Sequence, residues 1–149
     1  MRLMGIDYGT KRVGVALTEE DGSMAFPFAT YANDDSLVAR IVALVEEKDV
    51  GGVIVGKSHD LDGTPNRVQK DIDAFVAALR ERFPLRGKRS LAITLEPEQF
   101  STQAALRIQG RTKETDASAA ALILDAYITR KRAAEKSENE LQKKTEIHL

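Results

Sequence analysis

The sequence predicts an α/β domain: a five-stranded mixed sheet with helices on both faces, in the order βββαβαβαα. Three observations carry that prediction. Residues 3–8 alternate between two faces and run into a glycine turn, as the first strand of a meander does. Residues 52–56, GVIVG, form a short unbroken apolar run of the kind buried on both faces at the centre of a sheet. Around that run stand stretches whose apolar residues recur at helical spacing.

In the first strand Leu3, Gly5 and Asp7 share one face, and Met4, Ile6 and Tyr8 share the other. Tyr8-Gly9-Thr10-Lys11 turns the chain into a second strand at residues 13–18, and Asp21-Gly22 turns it again toward a third at 23–28. Asn33, Asp34, Asp35 and Ser36 are N-cap residue types ahead of a helix carrying Leu37, Ile41, Leu44 and Val45, which stops near Gly51. Beyond the 52–56 strand, Thr64-Pro65 is an N-cap followed by proline at the first helical position. That helix buries Val68, Ile72, Phe75, Val76, Leu79 and Phe83, and Pro84 ends it. A basic turn at 86–89 leads to a fifth strand at 91–95. A short helix is expected over 102–108, then a polar loop at 109–115. The last helix starts near Asp116 and sets Ala119, Ala120, Ile123 and Tyr127 on one face, its many alanines allowing a close approach to a sheet. From residue 133 the chain is charge-dense and poor in apolar residues. Residues 133–149 therefore read as a frayed helix or disordered tail, outside a single domain at 1–132.

Composition narrows the function classes. A chain of 149 residues fits one domain, and 42% hydrophobic with 30% charged residues fits a core under a solvated surface. Lysine and arginine number 22 against 23 acidic residues, for a net charge of -1. That excludes a globally basic nucleic-acid coat and leaves room for a local basic groove. With no cysteine, disulfides, thiolate zinc sites and cysteine nucleophiles are excluded. The N-terminus enters strand-like sequence without the pattern of a signal peptide, and no apolar run approaches the roughly 18 residues of a membrane span. A cytoplasmic protein is expected.

Three acids stand out. Asp7 lies on a strand of apolar or small residues where it meets a glycine turn. A carboxylate there is costly unless solvated, paired or metal-bound, although on spacing alone a turn aspartate capping Gly9 or Thr10 is the simpler reading. Glu98 follows a strand and a proline just ahead of a helix, where an acid complements the macrodipole. Asp116 is also a first-turn acid, yet it falls in line with Ala120, Ile123 and Tyr127 on the stripe facing the sheet, where an acid needs a partner. Asp125 falls on the opposite face as ordinary solvent charge. Hard oxygen ligands from Asp7, Glu98 and Asp116 would suit Mg²⁺ or Mn²⁺. Two such ions about 3.5–4 Å apart activate a water and stabilise the leaving oxygen of a phosphodiester. Lys11, Arg12, Lys57, Arg111 and Lys113, with Arg107, stand in or beside turns and loops able to line a phosphate path. His59 reads as an exposed loop histidine and His148 as an idle tail residue, and the aromatic residues form no base-stacking stripe.

The run Met4-Gly5-Ile6-Asp7-Tyr8-Gly9-Thr10-Lys11-Arg12-Val13-Gly14-Val15-Ala16 closely resembles the opening motif of the YqgF/RuvX family, relatives of the RuvC Holliday-junction resolvases. Val53-Ile54-Val55-Gly56 with Asp62-Gly63-Thr64 resembles the family's strand and DGT loop. Thr115-Asp116-Ala117-Ser118-Ala119-Ala120 resembles the start of its C-terminal helix. The resemblance spans residues 1–132. It implies an RNase H-like fold and metal-dependent phosphodiester hydrolysis, assigned to 5′-end maturation of pre-16S rRNA, with Holliday-junction cleavage as the older proposal. Carried over by position, the acidic triad is Asp7, Glu98 and Asp116. The chain departs from the pattern around Glu98: the family's Asp-Glu-Arg is Pro97-Glu98-Gln99 here, and the Leu-Pro after the central glycine is Lys57-Ser58. Glu96 is the nearby acid available to compensate.

Three function classes follow. The first is a nuclease built on Asp7, Glu98 and Asp116, acting on pre-rRNA or on branched DNA. The second is a catalytically weakened RNA-binding module, motivated by the Pro97-Glu98-Gln99 departure. Sugar kinases and actin-like ATPases share the Asp-x-Gly-Thr opening but clasp a nucleotide between two such domains, which 149 residues are not expected to supply.

Overall fold

The computed structural model describes residues 1–57, 65–83, 91–96 and 113–147. Within them the chain runs β1 (Arg2–Tyr8), β2 (Arg12–Thr18), β3 (Ala25–Ala32), α1 (Leu37–Glu47), β4 (Val50–Lys57), α2 (Pro65–Arg82), β5 (Ala92–Leu95) and α3 (Lys113–Ile147). The five strands form one sheet in the order β3-β2-β1-β4-β5. The first three are antiparallel neighbours, and β4 and β5 extend the sheet from β1 in parallel. This is the predicted mixed sheet, while the short helix expected at 102–108 lies outside the described residues.

The alternation of β1 sorts its side chains into two cores. Met4, Ile6 and Tyr8 pack with Leu37 and Ile41 of α1 and with Phe75 and Leu79 of α2. Leu3 faces the other way, joining Ala16, Ile54 and the α3 residues Ala120, Ile123 and Leu124. Each large aliphatic side chain so buried contributes roughly 1.5–3 kcal/mol. With helices against both faces, β4 is apolar along its whole centre, which explains the unbroken run at 52–56. The α3 side is built from small residues so that the helix can lie almost on the backbone. A Cβ added at Gly5 would stand 2.7 Å from the Ala120 carbonyl oxygen, and one at Gly56 would stand 2.7 Å from Ile123 Cδ1.

Element ends differ from the sequence expectation where tertiary pairing or local propensity decides. The Asp21-Gly22 hairpin forms, with Gly22 at φ 76°, but β3 begins at Ala25 and continues to Ala32 because it pairs with β2 along the whole of Arg12–Thr18. Pro27 is tolerated there because β3 is an edge strand with a register irregularity beside it. α1 stops at Glu47 rather than near Gly51, and Asp49 turns the chain at φ 52°, a left-handed conformation aspartate accepts. α3 begins at Lys113, so residues 113–115 of the expected polar loop are helical. It then continues through residues 133–147, rich in the helix formers Ala, Glu, Lys and Gln, with every side chain from 131 to 145 exposed. Among the described residues no helix is long and apolar enough to cross a membrane.

Candidate active site

Strand register gathers the site at one end of the sheet. Asp7, next to last in β1, is paired with Gly14 of β2 on one side and Gly56 of β4 on the other. Val55 pairs with Leu95, and the Glu96 amide donates to the Val55 carbonyl at 2.8 Å, which carries the same row one strand further. The row across the sheet is therefore Gly14, Asp7, Gly56, Glu96. Two acids stand two strands apart, about 10 Å, with glycine on both sides of Asp7. No side chain from β2 or β4 shields the Asp7 carboxylate on its own row.

α3 covers this row with its first turns. A Cβ at Gly14 would collide with the Asp116 carbonyl and stand 2.9 Å from the Ala117 amide nitrogen, so Asp116 sits directly over the strand partner of Asp7. The two acids that sequence places 109 positions apart thus stand on and over neighbouring strands, both buried, Asp7 at 3% and Asp116 at 5% exposure. Neighbouring carboxylates out of water repel each other and need positive charge. Arg12, at the start of β2, supplies part of it, with its Nε 3.1 Å from Asp116 Oδ2. Part of the Arg12 side chain remains open to solvent, so one guanidinium can pair with Asp116 and still meet a phosphate.

Three of the cations expected along the substrate path have their chain positions at the same end of the sheet. Lys11 is exposed in the β1–β2 turn, Lys57 closes β4 opposite Tyr8, and Lys113 opens α3 one turn before Asp116. Glu98, Arg107, Arg111 and His59 lie outside the described residues. Asn33, a cap residue by type, has another task. Its side-chain amide donates to the Gly9 carbonyl at 2.7 Å and its backbone amide donates to the Lys11 carbonyl at 2.9 Å, so it pins the turn carrying Lys11. The turn into α1 is instead tied by Asp34, whose Oδ1 accepts from the Ser36 amide and hydroxyl and whose carboxyl is held below its ordinary range by those bonds. Asp125 is exposed as expected, although it also accepts a bond from the Ala25 amide. Desolvation against β3 raises its carboxyl.

Glu96, the acid available to compensate for the altered motif, is already engaged. Arg130 of α3 grips it with two parallel hydrogen bonds, Nη1 to Oε1 at 3.0 Å and Nη2 to Oε2 at 2.7 Å. The Glu96 side chain is buried to 1% exposure. Burial pushes its carboxyl above the ordinary range against the pull of the guanidinium. Among the described residues no three His, Cys, Asp or Glu side chains are grouped closely enough to hold a metal. Asp7 and Asp116 nevertheless fit a hard divalent cation by their chemistry: both are anionic oxygen donors, buried, one on β1 and the other over its neighbour β2.

Known proteins resemble this chain over most of its length. A family model described as RuvX, Holliday junction resolvase, matches residues 1–130. A protein of Oleidesulfovibrio alaskensis named pre-16S rRNA nuclease is 33% identical over 138 residues, covering 86% of this chain and 92% of its own. One of the same name from Geobacillus kaustophilus is 35% identical over 144 residues, covering 89% of this chain and all of its own. Among solved structures, Thermus thermophilus RuvC superposes with a TM-score of 0.50 at 15% identity, covering 87% of this chain and 97% of its own, a likeness of fold.

Proposed function

The chain belongs to the RuvX family, and from that premise we propose that it is a metal-dependent nuclease that hydrolyses phosphodiester bonds in 5′-end processing of pre-16S rRNA. The observation that carries this reading is the pair of buried carboxylates, Asp7 from β1 and Asp116 from α3, brought to neighbouring strands by the close approach of α3 to Gly14. A carboxylate pair that only stabilised the fold would be an expensive choice, because an apolar pair of similar volume stabilises at least as well. Its relatives named pre-16S rRNA nuclease support the substrate.

In this reading Asp7, Glu98 and Asp116 would hold Mg²⁺ or Mn²⁺, and residues 1–132 form the nuclease domain. A bound divalent cation would supply Lewis-acid stabilisation of the phosphodiester oxygens and lower the pKa of the attacking water. The protein groups do the remaining work. Arg12 neutralises Asp116 and offers its exposed edge to a phosphate. Lys11, Lys57, Arg111 and Lys113 bind the phosphate backbone, the lysines as point charges and Arg111 as a planar fork of donors. Gly14 and Gly56 leave room beside Asp7 for α3 to settle, which brings Asp116 to the neighbouring strand. Because the net charge is -1, binding rests on this local patch and weakens steeply with added salt. The site belongs to the cytoplasm, where its substrate is made.

The test is cleavage of an end-labelled pre-16S rRNA leader beside a four-way DNA junction, with Mg²⁺ or Mn²⁺ against EDTA. The Asp7→Asn variant is run in parallel. Cuts in the leader that need metal and fall by at least about 100-fold in Asp7→Asn are expected, since the interaction removed is worth several kcal/mol. Full activity in that variant would sink the mechanism. Preferential cutting of the junction would move the substrate to branched DNA, the activity in the family's description. A folded protein that binds the leader and never cuts it would be the RNA-binding module.

A further inference from the structure

Arg12 stands between a buried acid and open solvent. It is the first residue of β2, two positions before Gly14 and on the same face, so it lies on the α3 side of the sheet. The strand end it occupies is the one that carries Asp7, because Asp7 pairs with Gly14. Its Nε is 3.1 Å from Asp116 Oδ2. The Asp116 side chain is 6% exposed and the Arg12 side chain 37%. The ion pair therefore has a closed inner partner and an open outer one.

That guanidinium and a divalent cation compete for Asp116. Mg²⁺ takes a carboxylate oxygen at about 2.0–2.1 Å, so an ion on Oδ2 would stand within about 5 Å of the Arg12 Nε as the pair is arranged here. Like charges at that distance repel, most strongly where water is excluded. Arg12 has a way out, because it opens its strand beside the β1–β2 turn and its side chain already reaches solvent. The outward direction is also the one from which a phosphate approaches. Resting on the nuclease reading above, we propose that Arg12 is an exchange residue: it holds Asp116 in the metal-free protein and passes to a substrate phosphate when Asp116 is taken by a divalent cation. On Asp116 the guanidinium offers a phosphate only its outer edge; released, it presents its whole planar fork. Metal and RNA then bind cooperatively, since both favour the same outward position of one side chain.

The test titrates parent and Arg12→Gln with Mn²⁺ alone at pH 8, read by electron paramagnetic resonance of the free ion. Arg12→Gln is expected to bind Mn²⁺ about 10-fold more tightly, the order that a partly screened unit charge beside a divalent ion accounts for. A residue that only oriented Asp116 would give the opposite sign. Lys11→Gln, which takes the same charge from the exposed turn next door, should change Mn²⁺ affinity by less than about 2-fold. In EDTA, Arg12→Gln should melt below the parent, and saturating Mn²⁺ should raise its Tm by more than it raises the parent's. Affinity for the rRNA leader in EDTA should fall by less than about 3-fold in Arg12→Gln, whereas KM in Mn²⁺ should rise by about 10-fold. One measurement needs no variant to fold: in nitrogen NMR of the parent, the Arg12 Nε–H should exchange slowly with water in EDTA and quickly once Mg²⁺ is saturating. The proposal is overturned if Arg12→Gln binds Mn²⁺ no more tightly than the parent, or if Lys11→Gln tightens it as much. It is overturned equally if the RNA loss is the same in EDTA and in Mn²⁺, or if the Arg12 signal stays protected with Mg²⁺ present. A parent that neither binds Mn²⁺ nor cuts RNA removes the nuclease reading, and the exchange falls with it. A parent that does both, beside an Arg12→Gln that binds no tighter, removes the exchange alone.

Discussion

Gly14→Ala puts the close approach of α3 to the sheet under direct test. The added methyl points at the Asp116 carbonyl and comes within 2.9 Å of the Ala117 amide nitrogen, and both are backbone atoms. No rotamer change relieves the overlap. Ordinary carbon contacts begin near 3.5 Å, so the start of α3 must rise by about 1 Å or more. The helix is not free to do so, because Gly5 and Gly56 hold it at Ala120 and Ile123. Overpacking a rigid site costs about 1–3 kcal/mol, and backbone overlap puts this case toward the upper end. Replacing glycine by alanine within a strand returns about 0.5–1 kcal/mol of chain entropy. A net loss of about 2 kcal/mol remains, which for a chain of this size lowers Tm by about 4–8 °C. Activity should fall further than stability, since a misplacement of about 1 Å near the reacting groups costs on the order of 100-fold. Gly51→Ala is the control, because the atoms nearest its new methyl belong to the flexible Met1 side chain. Thermal melts and single-turnover cleavage decide the matter. A Gly14→Ala protein that melts and cuts like Gly51→Ala would falsify the tight seating of Asp116 over β2.

Two further outcomes follow from the described contacts. Asp34→Ala removes the acceptor of the Ser36 bonds. Because the folded pKa of Asp34 is depressed, its contribution is present above the unfolded value of about 3.9 and is lost as pH falls through the folded one. The Tm gap between this variant and the parent should be open at pH 7 and close in more acid solution, and a gap independent of pH would remove the role of the ionised carboxylate in this turn. Removing residues 133–149 takes away side chains that are exposed throughout 133–145. Melting should stay within about 2 °C of the full chain, as for surface changes worth about 0.5 kcal/mol or less, and a larger drop would show that the helix extension carries stability.

The parts legible in the sequence are those that local pattern decides. Alternation in β1 sorts Asp7 away from Met4, Ile6 and Tyr8, and the structure keeps that division. Helical spacing puts Asp116 on the stripe of Ala120 and Ile123, and that stripe is the buried one. What local pattern does not hold is pairing between distant elements. Nothing at Glu96 announces a partner 34 positions away, and the residue looks like a spare acid until Arg130 is seen upon it. Asn33 fails in the same way: its residue type suits a cap, and only the fold brings Gly9 within reach of its amide. The length of β3 escapes a local reading because its partner strand, not its own composition, sets where pairing stops.

The glycines resolve why two such acids can share a place at all. A helix packed on a sheet through large side chains keeps its axis about 10 Å from the strands, and an aspartate in its first turn would then be remote from an aspartate on a strand. Here the residues beneath α3 are Gly14, Gly5 and Gly56, and those above them include Ala117, Ala120 and Ala121. Each omitted side chain shortens the gap, until the Asp116 backbone rests on β2 next to Asp7. The cost is apolar burial: small residues remove less surface from water than leucine or isoleucine in the same places would. The opposite face bears the compensation, where Ile41, Phe75 and Leu79 pack over Met4 and Ile6. One side of the sheet is built for cohesion and the other for proximity, so enlarging the glycine face should cost activity before it costs the fold.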